Sequence, residues 1–317
     1  VSHSIDILSI GEAMAELSTH GALESAKSFT LDYAGDTFNT AVAAARLGSQ
    51  TGFLTCHGQD AFAEGLRDRL KSEGIVSVGG RATSNPTGLY FVSVDESGEG
   101  QFTYYRQNSA ASKLSEADIT AELIQNCKLV YSSGISLAIS ENCRKAVLKA
   151  FKTAREFGVT TAFDPNYRVK LWNSSETAQS CLKEIAPNID FCFPSYPLDA
   201  HYFPQLIQSP EELVIGFQSL GIPNVLVKAA SQGVYVGFDG AIKHYPAYAV
   251  DSVIDTTGAG DAFNGGFLHG LTQGKILETS IQLGLVTAAL KTTQTGTASA
   301  MPYHQAVYQA LELEGFR

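Results

Sequence analysis

Within Asp255-Thr-Thr-Gly-Ala-Gly-Asp261-Ala-Phe-Asn-Gly-Gly266, three small residues precede a carboxylate at the head of an apolar run. Gly258, Ala259 and Gly260 let the backbone approach an anion closely, and the run from Ala262 to Leu271 reads as a helix. The amides of residues 258–260 would then face outward from a helix N-terminus, where unsatisfied donors and the dipole favour phosphate. A carboxylate beside phosphate is repelled unless it accepts a proton from the attacking group. With Asp261 in that position, the string reads as a phosphoryl-transfer site. A glycine-rich loop with an Asp helix cap is the plainer alternative, and the length of the string tells against it.

Four further groupings could carry chemistry. Tyr33 to Gly48 opens as a flexible turn and continues as an alanine-rich helix, with Asp36 and Asn39 near enough to its start to cap it. In Phe163-Asp-Pro-Asn-Tyr-Arg168 a strand ends in a turn bearing an acid, an amide and a guanidinium two residues apart. A salt-bridged loop is one reading; the other has Asn166 and Arg168 facing phosphates or substrate, with Asp164 organising the turn or a Mg²⁺ water shell. Tyr90, Tyr104 and Arg106 fall on two strand-like stretches, and Tyr104 and Arg106, two apart, share a sheet face. Lys228 closes another strand-like run, and Gly233 follows it.

The elements that must position these residues alternate. Short β-branched runs (Asp6 to Ile10, Leu129 to Ser132, Thr160 to Asp164, Ile189 to Phe193, Val225 to Lys228) lie between amphipathic ones. Ser140 to Phe157, for example, has Val147, Leu148, Phe151 and Ala154 on one helical face. This predicts an α/β fold, a mainly parallel sheet with helices on both sides and ligands at the carboxyl ends of its strands. Ala13 to Tyr33 and Gly88 to Arg106 break the pattern and read as a small sheet, with a glycine-rich hairpin turn at Glu96-Ser-Gly-Glu-Gly100. Such a sheet cannot bury both faces alone, so it is expected to cover the active site and to meet a second subunit.

Composition bounds the partners. Hydrophobic residues at 44%, charged residues at 17% and a net charge of -10 describe a soluble globule with no basic face for nucleic acid or anionic membrane. The five scattered cysteines fit buried free thiols and, with no basic leader or membrane span legible, a cytoplasmic protein. There is no Gly-x-x-x-x-Gly-Lys-[Ser/Thr] P-loop, no His-Glu-x-x-His zinc spacing and no Gly-x-Ser-x-Gly elbow.

Together these strings resemble, in chain order, the ribokinase-like (PfkB) sugar kinases over nearly the whole of residues 1–317. The resemblance implies a three-layer α/β/α kinase domain. Its lid would be drawn from about 13–33 and 88–106 and would often double as the interface of a homo-oligomer. It makes Asp261 the general base for a sugar hydroxyl, Gly258-Ala259-Gly260 the anion hole, and Gly35, Asp36 and Asn39 the ligands of sugar hydroxyls, with Ala34-Gly35 where the family has Gly-Gly. It implies ATP and Mg²⁺ and leaves activation by a monovalent cation open. Ile10-Gly-Glu-Ala-Met14, Thr87-Gly-Leu-Tyr90, Tyr104-Tyr-Arg106 with Ser109-Ala-Ala111, and Asp164-Pro-Asn-Tyr-Arg168 with Leu171-Trp172 are similar to the 2-keto-3-deoxygluconate kinase subfamily. That carries substrate contacts onto Gly35, Tyr90, Tyr104, Arg106, Arg168 and Asp261, with the acid sugar's carboxylate meeting Arg106, since a neutral hexose would leave that charge uncompensated. Nucleotide contacts fall on Asn166, Arg168, Ser195, Lys228, Gly233, Gly258 and Gly260. Ala230 replaces one family glycine, and the family's Mg²⁺-linked Asn-x-x-Glu is absent at Pro194 to Asp199, where Ser195 and Asp199 would act through water. The alternatives are a fructokinase- or ribokinase-like enzyme for a neutral sugar and a catalytically silent sugar or nucleotide sensor.

Overall fold

The computed structural model describes residues 3–94 and 100–313. Thirteen strands occur among them: β1 (Ile5–Ile10), β2 (Met14–His20), β3 (Thr30–Ala34), β4 (Thr51–Leu54), β5 (Val76–Ser77), β6 (Leu89–Val94), β7 (Gly100–Tyr105), β8 (Cys127–Ser133), β9 (Thr160–Asp164), β10 (Phe191–Cys192), β11 (Asn224–Lys228), β12 (Val234–Phe238) and β13 (Ala241–Tyr245). Nine form one sheet in the order β13-β12-β11-β10-β9-β8-β1-β4-β5, parallel from β11 to β5 and antiparallel at β11–β12–β13. Every residue of β1 is buried, as a strand covered by helices on both faces requires. The run expected at Ile189 to Phe193 pairs as a strand only at Phe191–Cys192. A 3₁₀ turn at Ala186–Asn188 precedes it, and Pro194, which lacks an N–H, follows.

Helices begin and end where side chains supply the missing bonds. Glu141–Phe157 starts at Ser140, whose hydroxyl accepts the Cys143 N–H at 3.0 Å, and stops at Gly158 in the left-handed region, φ 68°. Val147, Leu148, Phe151 and Ala154 are buried on its sheet-facing side, as the periodicity predicts. Ala259–Thr272 begins three residues before the apolar run at Ala262 and is buried almost all round, packed between Asp36–Leu47 and Leu277–Thr292.

The remaining strands make the four-stranded lid sheet, in the order β3-β2-β6-β7. They come from the two stretches that broke the alternation; the hairpin tip, residues 95–99, lies outside the described residues. All five cysteines are free and buried. Among the described residues no helix is long and apolar enough to cross a membrane.

Candidate active site

The carboxyl ends of β1, β8, β9 and β11 and the N-termini of two buried helices meet beneath the lid. Asp255 anchors the first part of the site. Its N–H donates to Thr292 O at 3.1 Å, and its carboxylate accepts Thr257 N–H at 2.8 Å and Gly296 N–H at 3.0 Å. The chain then turns through Gly258, whose φ of 78° favours glycine and whose would-be Cβ would stand tight, 3.0 Å from Thr297 Cγ2. One expectation is corrected here. The Ala259 N–H is already spent on Thr256 O at 3.1 Å, so Ala259 cannot offer its amide to an anion. Among the described residues the N–H groups of Gly258, Gly260 and Asp261 have no protein acceptor, so these are the amides this turn leaves free.

Asp261 stands at the first turn of its helix. Its Oδ2 accepts from Asn39 Nδ2 at 2.8 Å, and its main-chain oxygen accepts from Thr40 Oγ1 at 3.3 Å. Burial, helped by the Asp36 and Asp164 charges and opposed by Asn39 and Lys228, pushes its pKa up to about 7. A carboxyl so poised is half ionised near neutrality, the range in which a group can serve as a general base.

Behind it runs a closed polar network. Lys228 Nζ donates to Asp164 Oδ2 at 2.6 Å and to Asn264 Oδ1 at 3.3 Å, and Asn264 Nδ2 donates to Asp164 Oδ2 at 2.7 Å and to the Tyr131 hydroxyl at 3.0 Å. Lys228 is thus a paired cation beside the anion turn, its Nζ 3.4 Å from where a Cβ on Gly260 would stand. Asn264 and Tyr131, both fully buried, were not identified from sequence, although Asn264 lies inside the glycine-rich string.

Asn166 and Asp199 depart from expectation. Asn166 sits at φ 37° with its N–H on Asp164 Oδ1 at 3.0 Å, and its amide donates to Asp36 Oδ2 at 2.9 Å. Its amide therefore positions the Asp36 carboxylate. Asp199 accepts Ser195 N–H at 2.6 Å and Tyr167 N–H at 2.7 Å, is fully buried, and has its pKa pushed up to about 6 by burial. It braces the loop and cannot stand in for a Mg²⁺ ligand. Ser195 bridges to Lys228 at the strand ends. Gly233, at φ 95° with a would-be Cβ 2.1 Å from Tyr245 O, is glycine for the sake of the hairpin it packs against, so its requirement owes nothing to phosphate.

On the sugar side a Cβ on Gly35 would come within 2.2 Å of Glu12 O, so this position must be glycine, whereas Ala34 fits with no exposure. Asn39 both caps and contacts: its Oδ1 accepts Gly35 N–H at 3.3 Å while its amide holds the base. From the lid, Tyr90 and Tyr104 are cross-strand partners stacked at 5.3 Å. The Tyr90 hydroxyl is taken by Glu16, which also accepts from Thr297 Oγ1 at 3.1 Å, so Tyr90 offers its ring and not its hydroxyl. Burial raises the pKa of the Tyr104 hydroxyl, and Arg168 and Arg106 are close enough to oppose that shift. Arg168 itself is exposed, with Nη1 on Tyr167 O at 3.0 Å.

Arg106 forms an ion pair with Glu12, a carboxylate only 2% exposed that also accepts from Ser109 Oγ. A neutral sugar would therefore not leave Arg106 uncompensated, because the protein itself supplies the counter-charge. The pair is not saturated: Arg106 Nε and Glu12 Oε2 are both buried without a hydrogen-bond partner among the described residues. Nothing near Glu12 in sequence reveals this role, since its partner lies 94 positions away (106 − 12).

The model of the pfkB family carbohydrate kinases matches residues 4–303. The chain belongs to that family. Among its curated relatives, 2-dehydro-3-deoxygluconokinase of Bacillus subtilis is 30% identical over 302 residues, covering 94% of this chain and 93% of its own. A probable fructokinase-5 of Arabidopsis thaliana is 33% identical over 308 residues, covering 93% and 94%. The fold is that of a putative ribokinase II from E. coli solved with ATP and Mg²⁺, with a TM-score of 0.86, 24% identity and 99% and 100% of the two chains covered. As a pfkB-family sugar kinase, the chain sets a carboxyl with a raised pKa, Asp261, beside the unpaired amides of Gly258 and Gly260, with Arg106 at the end of a lid strand. Among the described residues no grouping of three or more His, Cys, Asp or Glu could hold a metal ion.

Proposed function

We propose that residues 1–317 act as one kinase unit that transfers the γ-phosphoryl group of ATP to the terminal hydroxyl of 2-keto-3-deoxygluconate, giving the 6-phosphate. The observation that carries the acid-sugar reading is the half-used fork of Arg106: one nitrogen on Glu12, and a buried Nε–H without a partner among the described residues, beside Tyr104 and Arg168. A carboxylate satisfies a guanidinium N–H better than a hydroxyl does. Asp261 removes the hydroxyl proton as the oxygen attacks, while the amides of Gly258, Gly260 and Asp261 take up charge developing on the phosphoryl oxygens. Lys228 adds a fixed positive charge beside that turn. Asp164 is saturated by Lys228, Asn264 and Asn166, so the residues present fit a Mg²⁺ that is held by nucleotide phosphates and water. Such an ion would neutralise phosphate charge. Closure of the lid excludes water and limits hydrolysis of ATP.

One observation favours a second reading, a neutral sugar such as fructose. Glu12 already neutralises Arg106, and the Arabidopsis relative carries a fructokinase name. A coupled ADP-release assay over acid and neutral sugars separates the two: preference for 2-keto-3-deoxygluconate supports the first, preference for fructose the second. The lid's outer face, where Phe91 meets Phe29 at 5.2 Å and Tyr105 at 5.9 Å beside exposed Leu31, supports a homo-oligomer formed through the lid.

A further inference from the structure

Lys291 is a buried charge that the transfer chemistry does not use. It lies in the last turn of the helix Leu277–Thr292 with 0% exposure, donates to the main-chain oxygen of Asp255 at 2.8 Å, and stands 3.7 Å from that residue's carboxylate. An ammonium taken out of water is costly unless oxygens replace its hydration. Burial pulls its pKa down, while Asp255 first, then Asp261 and Glu16, pull it back up. The charge therefore sits in the field of three carboxylates: one under the anion turn, one the base, one on the lid.

The oxygens it serves belong to the segment that forms the turn. Asp255 is also gripped through its N–H by Thr292 O and through its carboxylate by Thr257 and Gly296, and Gly258 follows three residues later in the left-handed region. Without the ammonium, the Asp255 main-chain oxygen loses a donor at 2.8 Å and the carboxylate, 23% exposed, loses a cation 3.7 Å away. Rotation of the 255–256 peptide toward other partners would then swing the Gly258 and Gly260 amides away from their present positions.

We propose that Lys291 is a positioning residue: its ammonium is a tethered cation that holds Asp255 to Gly260 in the shape that receives phosphate, so that the enzyme works without a dissolved monovalent cation. Carbonyl and carboxylate oxygens around a buried charge would equally suit K⁺ or NH₄⁺, and here the chain brings its own. The inference rests on the reading of residues 258–261 as the phosphate site.

The test uses the full-length protein in choline-buffered solution, with and without added KCl or NH₄Cl, and reads both steady-state kinetics and the thermal shift produced by ATP. Wild type should give the same kcat and the same ATP shift in either buffer. Lys291→Met should lose roughly ten- to a hundredfold in kcat/KM for ATP, with the KM for sugar little changed. Lys291→Ala, which leaves room for an ion, should regain activity with K⁺ or NH₄⁺ but not with more choline chloride at equal ionic strength. A merely structural lysine would lower thermal stability without this split or rescue. A wild type that needs K⁺ overturns the proposal, and so do folded variants with wild-type ATP kinetics; the first result requires no variant to fold. If wild type phosphorylates no sugar, the reading of function fails, while the cation dependence of the ATP thermal shift still decides the role of Lys291.

Discussion

The anion turn and the lid solve opposite problems. Around Asp261 the side chains are answered, Asn39 on Asp261, Lys228 and Asn264 on Asp164, Gly296 and Thr257 on Asp255, and the unpaired groups are main-chain amides. The lid side keeps half-used side chains, with an Arg106 fork engaged on one side only and a Tyr104 that is 49% exposed, and the exposed Arg168 faces them from the end of the main sheet. A saturated network fixes a base and a set of amides in a single geometry, which a reaction common to many sugars requires. Unsaturated donors on a separate sheet are what a choice among sugars requires. Changes in the first region should therefore damage turnover of every substrate, and changes in the second should alter preference.

The largest effect is expected at Asp261. Asp261→Asn should lower kcat by about 10² to 10⁴ on any accepted sugar while leaving sugar binding in place, as steady-state kinetics and titration will show. In wild type, kcat/KM should fall about tenfold per pH unit below a midpoint at about 7, where the base becomes protonated. The stability consequence has the opposite sign. A carboxyl whose folded pKa is raised from 3.8 to about 7 disfavours folding progressively as pH rises between those values, and by a constant amount above them. Asp261→Asn should accordingly be more stable than wild type at pH 8, on the order of 1 to 3 kcal/mol by chemical denaturation. A variant that is inactive and also less stable would contradict the desolvated-base account.

Gly260→Val comes next. A Cβ there meets only the tip of Lys228, in ordinary contact at 3.4 Å, so the fold should hold by circular dichroism. The branched side chain would crowd the space in front of the Gly260 and Asp261 amides, and the loss in kcat should approach the roughly 10² to 10³ seen when an anion-hole donor is removed. A folded variant with normal kinetics would move the phosphate site elsewhere.

A smaller effect belongs to the lid. Glu12→Gln leaves the largely buried Arg106 without its counter-charge, which should lower thermal stability by about 1 to 3 kcal/mol in the free protein. Saturating acid sugar should then raise the melting temperature more in the variant than in wild type, because its carboxylate replaces Glu12. Identical ligand-induced shifts in both proteins would separate Arg106 from the substrate.

The parts of this molecule legible in the sequence are those whose cause is local. Strand and helix runs follow from hydrophobic period; Gly258 and Asp261 stand out because a tight turn and a helix start leave their mark on adjacent residues; the lid broke the alternation with two aromatic-rich stretches. Pairings across the chain left no local trace. Glu12 meets Arg106 from the link between β1 and β2, Lys291 reaches Asp255 from the end of another helix, and Asn166 spends its amide on Asp36. Asp199 looked like a spare metal ligand because nothing nearby in sequence reveals that Ser195 and Tyr167 consume it. The amide of Ala259 was misassigned for a subtler reason: residue size says which backbone can approach an anion, whereas only the turn's geometry says which N–H is already used.

The central claim is that chemistry resides in the body and substrate choice in the lid. The most direct measurement is kcat/KM for 2-keto-3-deoxygluconate and for fructose in wild type and in Arg106→Ala. Wild type should prefer the acid sugar, and the variant should lose that preference by roughly ten- to a hundredfold, the cost of one charge-assisted hydrogen bond, while its activity on fructose changes far less. Equal proportional losses on both sugars, or a wild type that prefers fructose, would contradict the account.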